Sequence, residues 1–104
     1  MPDVLAVLGE PRRRRLLDVL RGGEASVGDL VDELGVSQPL VSKHLRVLRE
    51  AGLVSARVDG QRRLYRLRTE PLVDLDAWLE PYRQLWRSSL DRLEAHLDEG
   101  DTRA

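Results

Sequence analysis

The stretch SVGDLVDELGVSQPLVSKHLRVLREAG, Ser26–Gly52, decides how the rest of the chain is read. Ser26 is a good N-cap, with Asp29 three positions on as the weaker kind of capping-box partner. Val27, Leu30, Val31 and Leu34 then recur at the spacing of one buried helical face, and Gly35 stops the helix. After Gly35-Val36, Ser37 caps a second helix whose first turn tolerates Pro39, because the N–H that proline lacks has no partner there. Val41, Leu45 and Leu48 form its inner face and Ala51-Gly52 end it. Two helices joined by so short a glycine-containing turn make a helix-turn-helix, expected over about residues 26–51.

Past Gly52 the period changes. LVSARV and RRLYRL alternate apolar with polar residues around Asp59-Gly60, a favoured two-residue hairpin turn, so a β-hairpin is expected over about 53–68, although Leu64 and Leu67 do not keep strict alternation. From Pro71 helical spacing returns. Leu72, Leu75, Leu79, Leu85, Leu90, Leu93 and Leu97 lie on one stripe of a region spanning about 71–99, in which Pro81 either kinks one long helix or opens a second.

Upstream, Asp3–Leu8 is a short helix too small to stand alone. Pro11 opens the next helix, which buries Leu16, Leu17, Val19 and Leu20 before Gly22-Gly23. Arg12 to Arg15 fill its first turn, where the helix dipole disfavours each cation by about 0.3 kcal/mol or more. Salt bridges to Asp18 or to the acidic C-terminal segment would offset that cost. The sum of these elements is a mainly α chain with a small β-hairpin: a winged helix-turn-helix, one domain over residues 1–104.

Composition agrees and excludes several chemistries. At 104 residues the chain suits one domain, and with 20 Leu and 11 Val but no Phe, Ile or Cys its core is aliphatic. Without cysteine there is no disulfide, thiolate nucleophile, thiol switch or thiolate-bound metal. Two His, one Lys and no Cys offer little to acid–base or covalent catalysis, so no enzyme is expected. No window approaches the run of about 18 apolar residues that a membrane span needs, and no basic leader precedes an apolar core. The expected location is cytoplasmic.

The net charge of −1 hides an uneven distribution. Met1–Val36 carries 5 basic and 7 acidic residues, Ser37–Arg68 carries 8 and 2, and Thr69–Ala104 carries 4 and 9. The middle third is the part suited to a polyanion. With the apolar residues of the second motif helix turned inward, Gln38, Pro39, Ser42, Lys43, Arg46 and Arg49 face outward. Gln can pair two ways with adenine N6 and N7, while Ser37, Ser42 and Lys43 suit phosphates or bases. The hairpin adds Arg57, Arg62, Arg63, Arg66 and Arg68, with Gln61 at the tip and Tyr65 among them, against Asp59 alone. Arginine forks bind phosphate and can enter an A·T minor groove. Double-stranded DNA is therefore the expected partner, contacted by Ser37, Gln38, Pro39, Ser42, Lys43 and Arg46 from the helix and Arg57, Gln61, Arg62 and Arg63 from the hairpin. The rival reading is a winged helix whose basic hairpin faces an acidic protein.

GEPRRRRLLDVL, Gly9–Leu20, and GDLVDELGVSQPLVSKHLRVLREAGLVSARVDGQRRLYRL, Gly28–Leu67, resemble the ArsR/SmtB family of bacterial dimeric winged-helix repressors, over most of the chain from Leu5 to Leu67. The most specific part is SQPLVSKHLRVLREAGLV: Ser-Gln-Pro opens the recognition helix, Ser-Lys-His-Leu lies inside it, and Ala-Gly-Leu-Val leads into the wing. The resemblance implies a homodimer paired through its first and last helices and repression by steric exclusion of RNA polymerase from a promoter operator with an imperfect inverted repeat. Val4, Leu5 and Leu8 from the first helix and Leu85, Trp86, Leu90, Leu93 and Leu97 from the last are the expected dimer contacts.

The chain departs from the metal-sensing members of that family. Where many of them place Cys-x-Cys, this sequence has Ser26 and Gly28, neither a thiolate ligand. The last helix offers only Asp91, Glu94, His96 and Glu99, without the family's Asp-x-His, so no metal effector and no cofactor is expected. His96 reads as a solvated residue near a helix C-terminus, and His44 as a packed or hydrogen-bonded residue. Trp78, Tyr82 and Trp86 recur every four residues, which suits a dimer core; the alternative is a pocket for an organic effector.

Overall fold

The computed structural model describes residues 4–101, with side-chain positions through Asp98. The expectations falling on Asp3 and on the Glu99 side chain lie outside the described residues. In chain order the elements are α1 (Val4–Leu8), α2 (Pro11–Leu20), β1 (Ala25–Ser26), α3 (Val27–Leu34), α4 (Gln38–Glu50), β2 (Val54–Asp59), β3 (Arg62–Leu67) and α5 (Glu70–Asp101).

Local chemistry sets most of these boundaries. The Glu10 carboxylate accepts the Arg12 N–H at 3.0 Å and so caps α2, with Pro11 pre-set at its first position. Ser26 and Asp29 form a complete capping box on α3: Ser26 Oγ accepts the Asp29 N–H and the Asp29 carboxylate accepts the Ser26 N–H, both at 3.1 Å. Gly35 ends α3 at φ 68°, a left-handed conformation that only glycine enters without a Cβ penalty, and its N–H donates to Val31 O at 2.8 Å. That sharp stop turns the chain directly into α4.

The hairpin is part of a three-stranded antiparallel sheet in the order β1-β3-β2. The two-residue β1 was not anticipated, and it accounts for the irregular Leu64. Ala25 pairs with Tyr65 and Ser26 with Leu64, so β3 is the central strand and Leu64 is half-buried beside β1. Tyr65 and Leu67 alternate in the ordinary way, opposite Ala56 and Val54 on β2.

Leu16, Leu30, Leu45, Leu48, Leu53, Val4 and Val41 are essentially inaccessible to solvent, joining α1, α2, α3, α4 and the start of the wing in one core. Val19, Val27 and Val31, expected inside, are only half-buried at its edge. Val4 is a correction to the dimer set: at 1% exposure it is used by the chain's own core and has no surface to offer a second chain.

One continuous α5 passes through Pro81, so no second helix opens there. An ion-pair cluster brackets the proline: Arg83 contacts both Asp76 and Glu80, and Arg87 reaches Glu80 at 3.4 Å. At 1.5 Å per residue, a helix of 32 residues is about 48 Å long. It extends beyond the helix-turn-helix body and gives the molecule a longest dimension of 68 Å against 30 and 20 Å in the other two.

Candidate nucleic-acid interface

Ser37 fixes the start of α4, its Oγ accepting the Leu40 N–H at 3.4 Å. Val41, His44, Leu45 and Leu48 are buried, which forces Gln38, Pro39, Ser42, Lys43, Arg46 and Arg49 to the exposed face, as the periodicity requires. His44 is the inward-turned polar residue of this helix. Its Nδ1 accepts from Arg13 Nε, and its buried Nε2 has no hydrogen-bond partner among the described residues.

The strand register sorts the wing arginines onto two faces. Arg63 pairs with Val58 two positions from Tyr65, on the sheet face that packs against the body, and so is turned toward α4. With Ser42, Arg46, Arg49, Glu50 and Tyr65 it lines a groove of about 400 Å³ between recognition helix and wing. Four cation-bearing or hydroxyl side chains from two elements, Ser42, Arg46, Arg49 and Arg63, thereby face one concavity together with the Glu50 carboxylate. Gln61, at the tip, is exposed.

Arg57, Arg62 and Arg66 occupy the opposite face, and there the sequence reading needs correction. The five wing arginines are not opposed by Asp59 alone. Arg57 makes a two-pronged contact with Glu24, Nε to Oε2 at 2.8 Å and Nη2 to Oε1 at 3.2 Å. Arg62 reaches the Asp29 carboxylate at 3.3 Å, and Arg68 holds Glu70 by two bonds at 3.0 and 3.2 Å. Arg66 donates to Ser55 Oγ at 3.1 Å. The Arg57 guanidinium keeps the Glu24 carboxyl below its ordinary range, and hydrogen bonds from Ser26, with Arg62 beyond them, do the same for Asp29. Glu24 and Asp29 each lie 33 residues from the arginine they meet, and no local pattern signals such a pairing.

The arginine run opening α2 also finds partners other than the expected acids. Arg13 Nη1 donates to Val7 O at 3.4 Å and Arg14 Nη1 to Leu8 O at 2.6 Å. Two guanidinium groups thus serve the last carbonyls of α1, groups that a helix end leaves without intrahelical donors.

On α5, Leu72 and Leu75 pack against the core. Further along the same stripe, Leu85, Trp86, Leu90, Leu93 and Leu97 are each more than half exposed, from 54% to 64%. On α1, Leu5 is 47% exposed and Leu8 half-buried. Trp78 and Tyr82 pair with ring centroids 4.9 Å apart. Asp91, Glu94 and His96 are exposed, and among the described residues no three His, Asp or Glu side chains gather as a metal would need.

A helix-turn-helix with its polar face outward, flanked by a basic hairpin across one groove, defines a winged-helix DNA-binding regulator. Residues 10–56 match the model of the bacterial regulatory proteins of the arsR family. The chain is 35% identical over 79 residues to the transcriptional repressor SdpR of Bacillus subtilis (strain 168), a match covering 76% of this chain and 88% of that one. Among solved structures, a "possible transcriptional regulator for arsenical resistance" superposes with a TM-score of 0.71 at 44% identity, covering 91% of this chain and 96% of the other. The transcriptional repressor BigR from Xylella fastidiosa gives a TM-score of 0.61 at 35% identity over 75% and 81%. The chain belongs to the ArsR family of DNA-binding transcriptional repressors, as the resemblance of its motifs implies.

Proposed function

We propose that the chain is a single-domain, cytoplasmic, homodimeric repressor, acting without metal or other cofactor, that occupies an inverted-repeat promoter operator. The groove shared by Ser42, Arg46, Arg49 and Arg63 carries the reading, because it sets recognition helix and wing side by side with their cations lining one cleft. Gln38, Ser42, Lys43 and Arg46 read the major groove, with Ser37 and Pro39 at the helix entrance, while Arg63 and Gln61 track the backbone or the adjacent minor groove. No helix among the described residues is long and apolar enough to cross a membrane.

The exposed half of the α5 stripe supports the dimer. An apolar row that packs on its own core at Leu72 and Leu75, then continues bare from Leu85 to Leu97, costs free energy unless a second copy covers it. An inverted repeat read by two recognition helices requires them about 34 Å, one DNA turn, apart, and a two-fold axis through α5, with Leu5 of α1 beside it, is the arrangement we propose to hold that spacing. Sequencing the genomic DNA retained by the purified protein tests the reading. Recovery of a common inverted repeat upstream of genes is the expected result, and retention of random fragments, or of none, contradicts it.

A further inference from the structure

Two of the three arginines on the outer face of the wing, Arg57 and Arg62, already hold carboxylates, while Arg66 holds the Ser55 hydroxyl. Glu24 presents both oxygens to the Arg57 fork, the geometry in which a phosphate presents two of its own. Asp29 offers Arg62 a single oxygen, the one that also accepts the Ser26 N–H. Across 33 residues of chain, Glu24 ties the wing to the segment before β1 and Asp29 ties it to the first turn of α3, and each pair is open to solvent: the Arg57 and Glu24 side chains are 57% and 37% exposed, those of Arg62 and Asp29 60% and 55%. Exposed pairs are weak enough to exchange with competing ions. Arg63, on the inner face, has no acidic partner among the described residues. The inner-face Arg63 is thus free of acidic partners among these residues, and two of the three outer-face arginines are engaged by carboxylates.

We infer that Glu24 and Asp29 are affinity-setting residues, whose carboxylates stand in for phosphate on Arg57 and Arg62 and hold down binding to DNA of arbitrary sequence. The inference rests on the DNA-binding reading and deepens it. Sequence-independent affinity grows with the number of phosphates that cations neutralise, each adding its own salt dependence. An arginine on an internal carboxylate is subtracted from that number until phosphate displaces the carboxylate. Arg57 also shares an outer groove with Arg66, which has no acidic partner among the described residues, so its release places a second free cation beside Arg66. Asp29 has a second task as half of the α3 capping box, which places the test first on Glu24.

The test is a double-mutant cycle read by fluorescence anisotropy on a random-sequence duplex of about 30 base pairs, long enough for a dimer, at several salt concentrations. Glu24→Gln is expected to tighten binding about three- to tenfold at low salt and to steepen the slope of log affinity against log salt by about 2 per dimer. In an Arg57→Gln background the same substitution is expected to have no effect. Equal tightening in both backgrounds would mean simple removal of negative charge, and weaker binding by Glu24→Gln would mean that the pair braces the wing; either overturns the inference. Asp29→Asn with Arg62→Gln repeats the cycle, with helical circular dichroism reporting any loss of the cap. Failure of the wild-type protein to bind the duplex at any salt would instead remove the DNA-binding reading beneath it.

Discussion

Arg13 Nε donates to His44 Nδ1 at 3.3 Å, joining the first turn of α2 to the buried side of the recognition helix. The contact fixes the imidazole as an acceptor at Nδ1, so the neutral ring carries its proton on the buried Nε2. Burial first, and the neighbouring Arg13 charge second, hold the His44 pKa below its ordinary 6.5, partly opposed by Glu10, with Arg12 and Lys43 adding small effects in the same direction as Arg13.

Stability should therefore depend on pH through His44. A histidine whose folded pKa is lowered favours the unfolded chain once that chain starts to take up the proton. Its contribution is complete above about pH 6.5 and is lost as the pH falls from there through the folded value. The carboxyls held low by their partners, Glu10, Glu24, Glu70 and Glu80 from 4.5 and Asp29 from 3.8, lose their contributions only at more acid pH. Thermal melts between pH 7.5 and 5.5 should show a falling midpoint in the wild type and a flatter profile in His44→Gln; parallel profiles would refute the role given to this ring.

Removing a guanidinium cap from α1 should cost stability without touching DNA readout. Arg14→Ala leaves Leu8 O without its donor and is expected to destabilise by about 0.5 to 1.5 kcal/mol in urea titration. Arg15→Ala, an exposed neighbour, should stay within about 0.5 kcal/mol of the wild type.

Helix and wing should divide the work of binding. Gln38→Ala is expected to cost about 1 to 3 kcal/mol and to relax base preference at one position per half-site, whereas Arg63→Ala should weaken all sequences nearly alike. Arg62→Ala should do less than Arg63→Ala, because Arg62 starts from an ion pair with Asp29. Equal losses for Gln38→Ala on operator and random duplexes would overturn the assignment.

Leu93, 54% exposed in the middle of the bare stripe, tests the dimer. A charge there should be tolerated by the isolated fold but not by an apolar seam. Sedimentation equilibrium should find Leu93→Asp monomeric where the wild type is dimeric, with operator affinity reduced by about 100-fold through loss of the second half-site. A wild type that stays monomeric at micromolar concentration would contradict the proposal.

By itself the sequence determined what depends on neighbours along the chain. The capping residues Ser26 and Ser37, the stop at Gly35, the inward set Val41, Leu45 and Leu48 and the hairpin turn at Asp59-Gly60 all act within a few residues of themselves. Helix-turn-helix, wing and recognition face were therefore legible, and the run around Ser-Gln-Pro gave the family. Tertiary structure alone decided what depends on distant segments. It paired β1 with β3, drew Val4 into the chain's own core, carried α5 unbroken through Pro81, and assigned Arg13 and Arg14 to carbonyls of α1. It also matched Arg57 and Arg62 to Glu24 and Asp29, turning a hairpin that reads as uniformly basic into one whose outer arginines are partly engaged while Arg63 is not. The reason is reach: caps and periodicity are set over one or two turns of chain, whereas an exposed arginine takes whichever carboxylate the fold brings within a few ångströms, and that depends on how every intervening element packs.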